Sequence, residues 1–275
     1  MYKRPDKTYA FDPGIVTDHI LKDEANPLNR ISALIPAGSK VLDIGAGSGL
    51  FACVLKHKVT DVTIDGIEPN PHAAGIARAW YRNFYTGFAK EFEKIIFQEN
   101  YDFIVLADVI EHMPDPLSFL EDLRAGVPDH TKIIITTPNI AFGAIRIALL
   151  NGRFDYVDSG ILERTHLRFF TLNTLRSMLA ATGLHLERLC LLQRSLFESE
   201  IDIRPYKIGW SDLSRLARDE DARTYQFLAV LGKSQSPTLI EYFGKRDRLT
   251  VFKYLVLRLS NYPLLGWLSR FASRL

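Results

Sequence analysis

The segment VLDIGAGSG, residues 41–49, constrains the fold of this 275-residue chain more than any other. An apolar run that does not alternate and then meets three glycines predicts a buried strand turning directly into a helix. Gly45 and Gly47 let the backbone approach a ligand closely, because no Cβ stands in the way. The unpaired N–H groups of the helix that begins after Gly49 would face the same space. We therefore expect a nucleotide-type ligand at the carboxyl end of this strand, in an open α/β sheet.

Short apolar runs alternate with helical segments from Lys40 onward, which predicts parallel strands joined by crossover helices. The seven predicted strands are 41–44, 62–67, 83–86, 103–107, 132–136, 186–192 and 225–231. The predicted helices are 27–35, 50–57, 71–81, 90–94, 117–125, 140–150 and 172–182. We predict an otherwise irregular N-terminal arm over residues 1–37, the main domain over 38–236 and a basic helical extension over 237–275.

A carboxylate at the end of the second strand is the expected partner of the glycine loop. Glu68, in IDGIEPN, lies 19 residues beyond Gly49, as a strand–helix–strand unit requires. A carboxylate there can accept both hydroxyls of a ribose. Asp65 falls inside the strand and is the weaker candidate. A dinucleotide fingerprint would need glycine where Leu50 stands, which disfavours an NAD(P)-dependent oxidoreductase.

The glycine motif and three later segments resemble one enzyme family. The spacing D-x-G-x-G-x-G from Asp43 resembles motif I of class I S-adenosylmethionine (SAM)-dependent methyltransferases. YDFIVLADVIEHMPDP, residues 101–116, is similar to their fourth strand and the loop after it. TPN, residues 137–139, is similar to the family motif that follows the fifth strand. Residues 164–184 are similar to segments of bacterial methyltransferases of cell-surface saccharide synthesis and of quinone pathways. The resemblance covers about residues 25–232.

The resemblance implies a Rossmann-like, seven-stranded and mostly parallel sheet with an antiparallel last strand, and SAM as the cofactor. It also implies that the glycine loop lies beside the sulfonium of SAM and that the acid after the second strand holds the ribose. The expected SAM-binding residues are Asp43, Gly45, Ala46, Gly47, Glu68, Pro69, Ala107 and Asp108. Phe88 stands where many members have an acid that contacts adenine, so we expect stacking and backbone contacts there.

Two histidines are the predicted catalytic residues. Because the sulfonium leaving group is neutral, the protein must mainly position acceptor and methyl. An acceptor hydroxyl must also lose its proton, and histidine is the side chain best suited to take it near neutral pH. His112 follows the fourth strand, and His166 lies after a variable loop. Each could instead be a loop histidine that only holds backbone.

A metal-dependent variant is an alternative, although we predict no metal. Asp108, Glu111 and His112 form D-x-x-E-H, which is similar to the E-x-x-E-H of quinone-pathway O-methyltransferases that can hold a divalent cation. Glu111 and His112 could equally cap the turn before MPDP.

The loop over residues 151–164 could be a substrate lid or an ordinary connection. Its aromatic residues Phe154 and Tyr156 suit sugar rings or other flat apolar surfaces. Arginines suit phosphate or carboxylate recognition, and four lie in or near the loop. They are Arg146, Arg153, Arg164 and Arg168.

Composition limits the partners and the location. With 34 basic and 32 acidic residues the net charge is +2, which disfavours a dedicated nucleic-acid binder. Two distant cysteines disfavour a disulfide framework or a Cys-rich zinc site.

We find no secretory signal and no apolar run long enough to span a bilayer, so we expect a cytoplasmic protein. Residues 237–275 carry a charge of +5 beside Trp267 and Phe271, which fits either a packed helical hairpin or peripheral contact with the inner membrane face.

The sequence thus predicts a SAM-dependent methyltransferase that acts on an oxygen of a saccharide or glycoconjugate precursor. A quinone-type phenol is the alternative acceptor. A second class stays open, namely a non-catalytic SAM-binding module that scaffolds a membrane assembly.

Overall fold

A computed structural model describes residues 13–196, 198–203 and 209–244, and in these ranges one eight-stranded sheet carries helices on both faces. The strands are β1 (Lys40–Ile44), β2 (Thr63–Glu68), β3 (Phe84–Thr86), β4 (Phe103–Ala107), β5 (Lys132–Pro138), β6 (His185–Gln193), β7 (Thr224–Gly232) and β8 (Leu239–Phe243). The helices are α1 (Pro13–Lys22), α2 (Pro27–Leu34), α3 (Leu50–Lys58), α4 (Pro71–Ala77), α5 (Glu93–Gln98), α6 (Pro116–Gly126), α7 (Gly143–Leu150), α8 (Leu172–Ala181), α9 (Trp210–Arg218) and α10 (Glu220–Arg223).

The strand order is β3-β2-β1-β4-β5-β7-β6-β8. Strands β1 to β5 pair in parallel, whereas β7 is antiparallel to both β5 and β6. This confirms the predicted α/β class, the mostly parallel sheet and the antiparallel orientation of the strand at 225–231. The order reverses between β1 and β4, and ligands of open α/β sheets bind in the crevice at the carboxyl ends beside such a reversal.

Both faces of the sheet are buried, which explains why its strands do not alternate polar and apolar residues. Val41 packs with Phe51 and Leu55 of α3 on one face. Its neighbour Leu42 lies on the other face, in the cluster that contains Leu120 of α6. A third apolar cluster, around Phe142 and α7, packs against the loop that contains Leu162.

The predicted count of seven strands is one too low. β8 lies inside the segment predicted as a helical extension, so that prediction is wrong for Leu239–Phe243. β8 pairs in parallel with β6, and an Arg188–Glu241 ion pair joins the two strands. The open edge of β6 offers main-chain hydrogen bonds that a local apolar pattern does not reveal. Residues 245–275 lie outside the described part of the chain, together with the helices predicted there.

The arm contains a helix that the sequence analysis missed. α1 packs against α3, and the Thr17 hydroxyl donates to the Cys53 sulfur at 3.2 Å. Residues 1–12 of the predicted arm are outside the described ranges. Among the helices that are described, none combines the length and apolar character needed to cross a bilayer.

Candidate functional site

The turn after β1 is built from glycines in left-handed conformations. Gly45, Gly47 and Gly49 have φ values of 78°, 54° and 87°. The N–H groups of Gly45 and Ala46 both donate to the Ile67 carbonyl, at 2.8 and 3.0 Å, which fixes the turn against β2. A Cβ on Gly45 would lie 2.5 Å from Val109 Cγ2. The loop after β1 therefore touches the loop after β4, and only glycine permits this approach.

Glu68 ends β2 and faces the glycine turn. Its Oε2 accepts from the Gly47 N–H at 2.9 Å and its Oε1 from the Asn70 N–H at 2.8 Å. The side chain is buried, and Pro69 after it is exposed at the start of the turn into α4. An ionised carboxylate offers about four acceptor positions, so two backbone donors leave each oxygen able to accept a hydroxyl. These remaining acceptor positions fit the hydroxyls of a ribose.

Asp43 lies beneath the glycine turn rather than on its surface. It is buried, and its Oδ2 accepts from the Tyr81 hydroxyl at 2.6 Å. Burial raises the pKa of Asp43 to about 7, the Tyr81 hydrogen bond opposes this rise, and the negative charge of Glu68 adds to it. We expect Asp43 to support the turn. Its partner Tyr81 was missed by the sequence analysis because 38 residues separate the two.

Asp65 has a structural role, because its carboxylate accepts hydrogen bonds from neighbouring residues of the domain. Arg82 contacts both of its carboxylate oxygens, the Tyr101 hydroxyl donates at 2.8 Å, and the Asn83 N–H donates at 3.0 Å. The carboxylate is fully buried, and the Arg82 and Tyr101 hydrogen bonds outweigh that burial to lower the pKa of Asp65. These contacts agree with its place as the weaker candidate for a ribose ligand.

The loop after β4 begins in a strained conformation. Ala107 ends the strand, and Asp108 has a φ of 57°, which is uncommon for a residue with a side chain. Asp108 Oδ1 accepts from the Thr136 hydroxyl at 2.9 Å and from the Gln226 side-chain amide. Strain of this kind is often found at functional sites. Gln226, 118 residues away, is a contact that no local motif reveals.

The two predicted catalytic histidines lie together. The ring centroids of His112 and His166 are 4.8 Å apart at an interplanar angle of 69°. His112 Nδ1 lies 3.1 Å from the Thr165 carbonyl oxygen, and His166 Nδ1 lies 2.9 Å from that of Ile161. The Thr165 hydroxyl also lies 3.1 Å from His112 Nδ1. A carbonyl can only accept, so a neutral ring that donates to it from Nδ1 carries its lone pair on Nε2. A histidine in this tautomer can act as a base through Nε2.

Main-chain hydrogen bonds bring His166 to His112. The N–H groups of Leu167 and Arg168 donate to the Glu111 carbonyl at 2.8 and 3.0 Å. The Arg168 guanidinium also bonds to the Pro114 carbonyl. The segment after the variable loop is thereby held against the turn after β4.

A buried carboxylate completes the cluster. Glu111 Oε2 accepts from the Thr137 hydroxyl at 3.2 Å, and its buried Oε1 has no hydrogen-bond partner. Burial, followed by the charge of Asp108, raises the pKa of Glu111 well above its usual range. One ligand atom from each of Glu111, His112 and His166 can be chosen so that all lie within 4.8 Å of one another. Oxygen and imidazole donors in this arrangement fit a divalent cation.

The segment after β3 carries Phe88 on the surface, with 69% of its area exposed. The N–H of Gly87 donates to the Glu68 carbonyl at 3.1 Å, so this segment adjoins Glu68. Glu91 Oε1 accepts from the Phe88 N–H at 2.6 Å. The sequence analysis did not single out this acid, which lies three residues beyond the expected position.

Residues 19–189 match a protein family described as a methyltransferase domain, and this match covers more than half of the chain. This chain belongs to that family. Together with the sheet topology, membership confirms the predicted class I SAM-dependent methyltransferase. The methyltransferase domain therefore spans the glycine turn, Glu68, Asp108 and both histidines.

Curated relatives of this methyltransferase are named ubiquinone biosynthesis O-methyltransferase. The protein from Histophilus somni is 25% identical over 138 residues, which cover 46% of this chain and 56% of the relative. That of Rickettsia bellii is 26% identical, covering 62% of this chain and 70% of the relative. That of Xylella fastidiosa is 26% identical, covering 66% and 78%.

Solved structures share the fold of this methyltransferase. A SAM-dependent methyltransferase from Archaeoglobus fulgidus superposes with a TM-score of 0.54 at 17% identity, covering 81% of this chain and 95% of that one. Another from Aquifex aeolicus has a TM-score of 0.50 at 15% identity, covering 82% and 100%. At these identities the similarity concerns the fold alone.

Proposed function

We propose that this methyltransferase moves a methyl group from SAM to a hydroxyl oxygen of a small acceptor, with His112 or His166 taking the proton. The observation that carries the proposal is the contact between the turn after β1, at Gly45, and the loop after β4, at Val109. It supports a single crevice in which the ribose-facing Glu68 and the histidine pair serve the same reaction.

The residues around the crevice suit SAM. The glycine turn leaves room for a ligand against its backbone, and Glu68 keeps acceptor positions for ribose hydroxyls. Ala46, Pro69, Ala107 and Asp108 border the same edge of the sheet. Bound SAM would supply a methyl group activated by its sulfonium.

The protein's part in the reaction is positioning and proton removal. As the acceptor oxygen forms its bond to the methyl carbon, the carbon–sulfur bond breaks and its electron pair stays on sulfur. The hydroxyl proton moves to Nε2 of a histidine, which the Nδ1 hydrogen bond to a backbone carbonyl holds in orientation. Orientation in a closed site contributes up to ~7–11 kcal/mol in well-aligned systems.

Separate His112→Gln and His166→Gln substitutions test the role of the pair. We expect kcat to fall by about 10²–10⁴-fold for the base, while SAM affinity stays within about threefold of wild type. His130→Gln is the matched control, because His130 is exposed and pairs with Asp102 away from the crevice. Full activity in both variants would remove the histidines from the mechanism.

The acceptor is tested with methyl-labelled SAM and a panel of phenols and saccharides. The names of the curated relatives support a phenolic acceptor. The saccharide acceptor rests on the sequence resemblance alone. Binding of SAM without transfer to any acceptor would favour the non-catalytic scaffold, and binding of NAD(H) without SAM would overturn the proposal.

A metal-assisted reaction is the second candidate, favoured by the unpartnered Glu111 Oε1 beside the two histidines. A bound divalent cation would supply Lewis-acid activation of the acceptor hydroxyl. Turnover should then be lost after chelation and restored by Mg²⁺ or Mn²⁺, and Glu111→Gln should weaken the response to added metal. Unchanged turnover after chelation would exclude this candidate.

Peripheral contact with the inner membrane face remains a proposal for the C-terminal residues. Residues 245–275 contain seven basic residues and one acid, interspersed with apolar and aromatic residues. We expect the whole chain to sediment with vesicles that contain anionic lipid, and a chain ending at Gly244, which keeps β8, to stay in solution. Equal sedimentation of the two would contradict this role.

A further inference from the structure

A line of aromatic rings leads from the histidine pair to the protein surface. His166 lies edge-on to Phe169, with ring centroids 6.2 Å apart. The ring centroids of Phe169 and Phe154 are 5.8 Å apart at an interplanar angle of 82°. Those of Phe154 and Tyr156 are 5.4 Å apart at an interplanar angle of 85°. The variable loop therefore places two rings in line with the candidate base.

The rings become more exposed along this line. His166 is buried, and Phe169 is half-buried against the apolar cluster around α7. Phe154 and Tyr156 have exposed fractions of 38% and 48%. Because the two rings are nearly perpendicular, they form an apolar corner in which a ligand ring can stack on one ring and touch the other.

The arginines beside these rings are already paired. Arg146 contacts Asp219, and Arg153 contacts both Asp155 and Asp202. In separate contacts, Arg164 pairs with Asp158, and Arg168 donates to the Pro114 carbonyl. An anionic acceptor would have to compete with carboxylates for three of these four arginines, which favours an uncharged ligand beside the rings.

We propose that Phe154 and Tyr156 form a two-sided aromatic platform, backed by Phe169, against which the uncharged ring of the acceptor packs with its hydroxyl directed at the histidine pair. The inference rests on the proposed function and adds residues that determine specificity. A neutral sugar ring and a phenol share the required chemistry, which is a flat apolar face that carries a hydroxyl.

The test measures probe binding to the protein saturated with S-adenosylhomocysteine. The neutral probes are catechol and methyl glucoside, and the charged probes are phenyl phosphate and glucose 6-phosphate. We expect at least one neutral probe to bind more tightly than its phosphorylated counterpart. The double variant Phe154→Ala/Tyr156→Ala should weaken that probe by about tenfold, since each stacked pair contributes ~0.5–1.5 kcal/mol.

Controls separate the platform from a general effect of the substitutions. Phe154→Tyr/Tyr156→Phe should retain probe binding because both rings remain. Leu239→Ala removes a similarly exposed apolar residue at the far edge of the sheet and should leave binding unchanged. S-adenosylhomocysteine affinity should stay within about twofold in every variant.

Several results would overturn the platform. They are tighter binding of a phosphorylated probe, equal binding by wild type and the double alanine variant, and no binding of either neutral probe at millimolar concentration. Failure of the wild-type protein to bind S-adenosylhomocysteine would instead refute the proposed function. The neutral probe that binds distinguishes a phenol from a sugar.

Discussion

Asp65 and Glu68 are two carboxylates of one strand with different roles. Their odd spacing directs them to opposite faces of β2. Asp65 faces Arg82 and Tyr101, whose donors engage both of its oxygens. Glu68 receives only backbone donors from Gly47 and Asn70 and lies at the end of the strand, where a ligand can approach. Position along the strand, more than residue type, separates the structural acid from the candidate ribose ligand.

The buried Asp43 should make stability depend on pH. Its folded pKa of about 7 lies above the unfolded value near 3.8, chiefly because of burial. The native state therefore binds the proton more tightly, and its stability falls as pH rises from about 4 to about 7. Asp43→Asn keeps an acceptor for Tyr81 without the charge. Relative to wild type, this variant should gain stability across that window by at most about 4 kcal/mol.

Urea unfolding of both proteins at pH 4, 5, 6, 7 and 8 measures this difference. The difference should grow from pH 4 to 7 and then become constant. A difference independent of pH would show that the pKa of Asp43 is the same in the folded and unfolded states, which would contradict the effect of burial.

At the scale of elements, the glycine turn is the most constrained connection in the site. Gly45→Ala would place a methyl group in a left-handed residue against Val109. We expect a loss of about 1–3 kcal/mol in the free energy of unfolding, together with loss of SAM binding. Gly75→Ala is the control, because Gly75 lies in α4 and a Cβ there meets no heavy atom within 4 Å. That variant should be neutral or more stable by up to about 1 kcal/mol.

Chemical denaturation and calorimetric titration with SAM report both effects. The prediction would be falsified if Gly45→Ala bound SAM with wild-type affinity, since the close approach of the two loops would then be unnecessary.

The pairing of β8 with β6 predicts the reactivity of a thiol. Cys190 is buried beside Glu241 of β8, and burial, with a smaller effect of the Glu241 charge, raises the pKa of Cys190 to about 12. In a Cys53→Ser background, Cys190 should react slowly with a thiol reagent at pH 8. A chain ending at Ser236 lacks β8 and should react at least about tenfold faster. A chain ending at Gly244 keeps β8 and should react as slowly as the full chain.

Labelling rates are compared after circular dichroism has shown that each chain is folded. Equal rates for the two shortened chains would mean that β8 does not protect this edge of the sheet.

At the scale of the whole molecule, ligand binding and folding are linked. SAM at about 100 times its Kd should stabilise the protein by about 2.7 kcal/mol, which corresponds to a rise in Tm of about 5–10 °C for a domain of this size. Glu68→Gln replaces the anionic acceptor with an amide and should reduce SAM affinity by about 10–100-fold, because hydrogen bonds to charged groups contribute ~1.5–3 kcal/mol. Its Tm rise at the same SAM concentration should be correspondingly small.

Thermal unfolding with SAM and with NAD⁺ checks this expectation. Glu121→Gln, on the exposed surface of α6, is the matched control and should respond to SAM as wild type does. A rise in Tm with NAD⁺ but not with SAM would contradict the assignment of the crevice.

The sequence by itself determined where most strands of the central sheet lie along the chain. Glycines at turns and unbroken apolar runs in strands are signals within short stretches of sequence. They predicted both ends of β4 correctly, at Phe103–Ala107. The glycine turn and Glu68 could be aligned because a strand–helix–strand unit has a nearly fixed length. The helix predicted at 140–150 begins only at Gly143, because Asn139 instead accepts from the Ala141 N–H and donates to the carbonyls of Asp221 and Thr224.

Only the tertiary structure decided which distant residues meet. It joined His112 to His166 through hydrogen bonds to the Glu111 carbonyl, and it brought Gln226 to Asp108 and β8 to the edge of β6. These contacts depend on strand order and on the course of the loop over residues 151–164, neither of which is written in a local pattern. The physical reason is that side-chain periodicity specifies which face is buried, whereas long-range pairing is selected only when the whole sheet and its loops pack together.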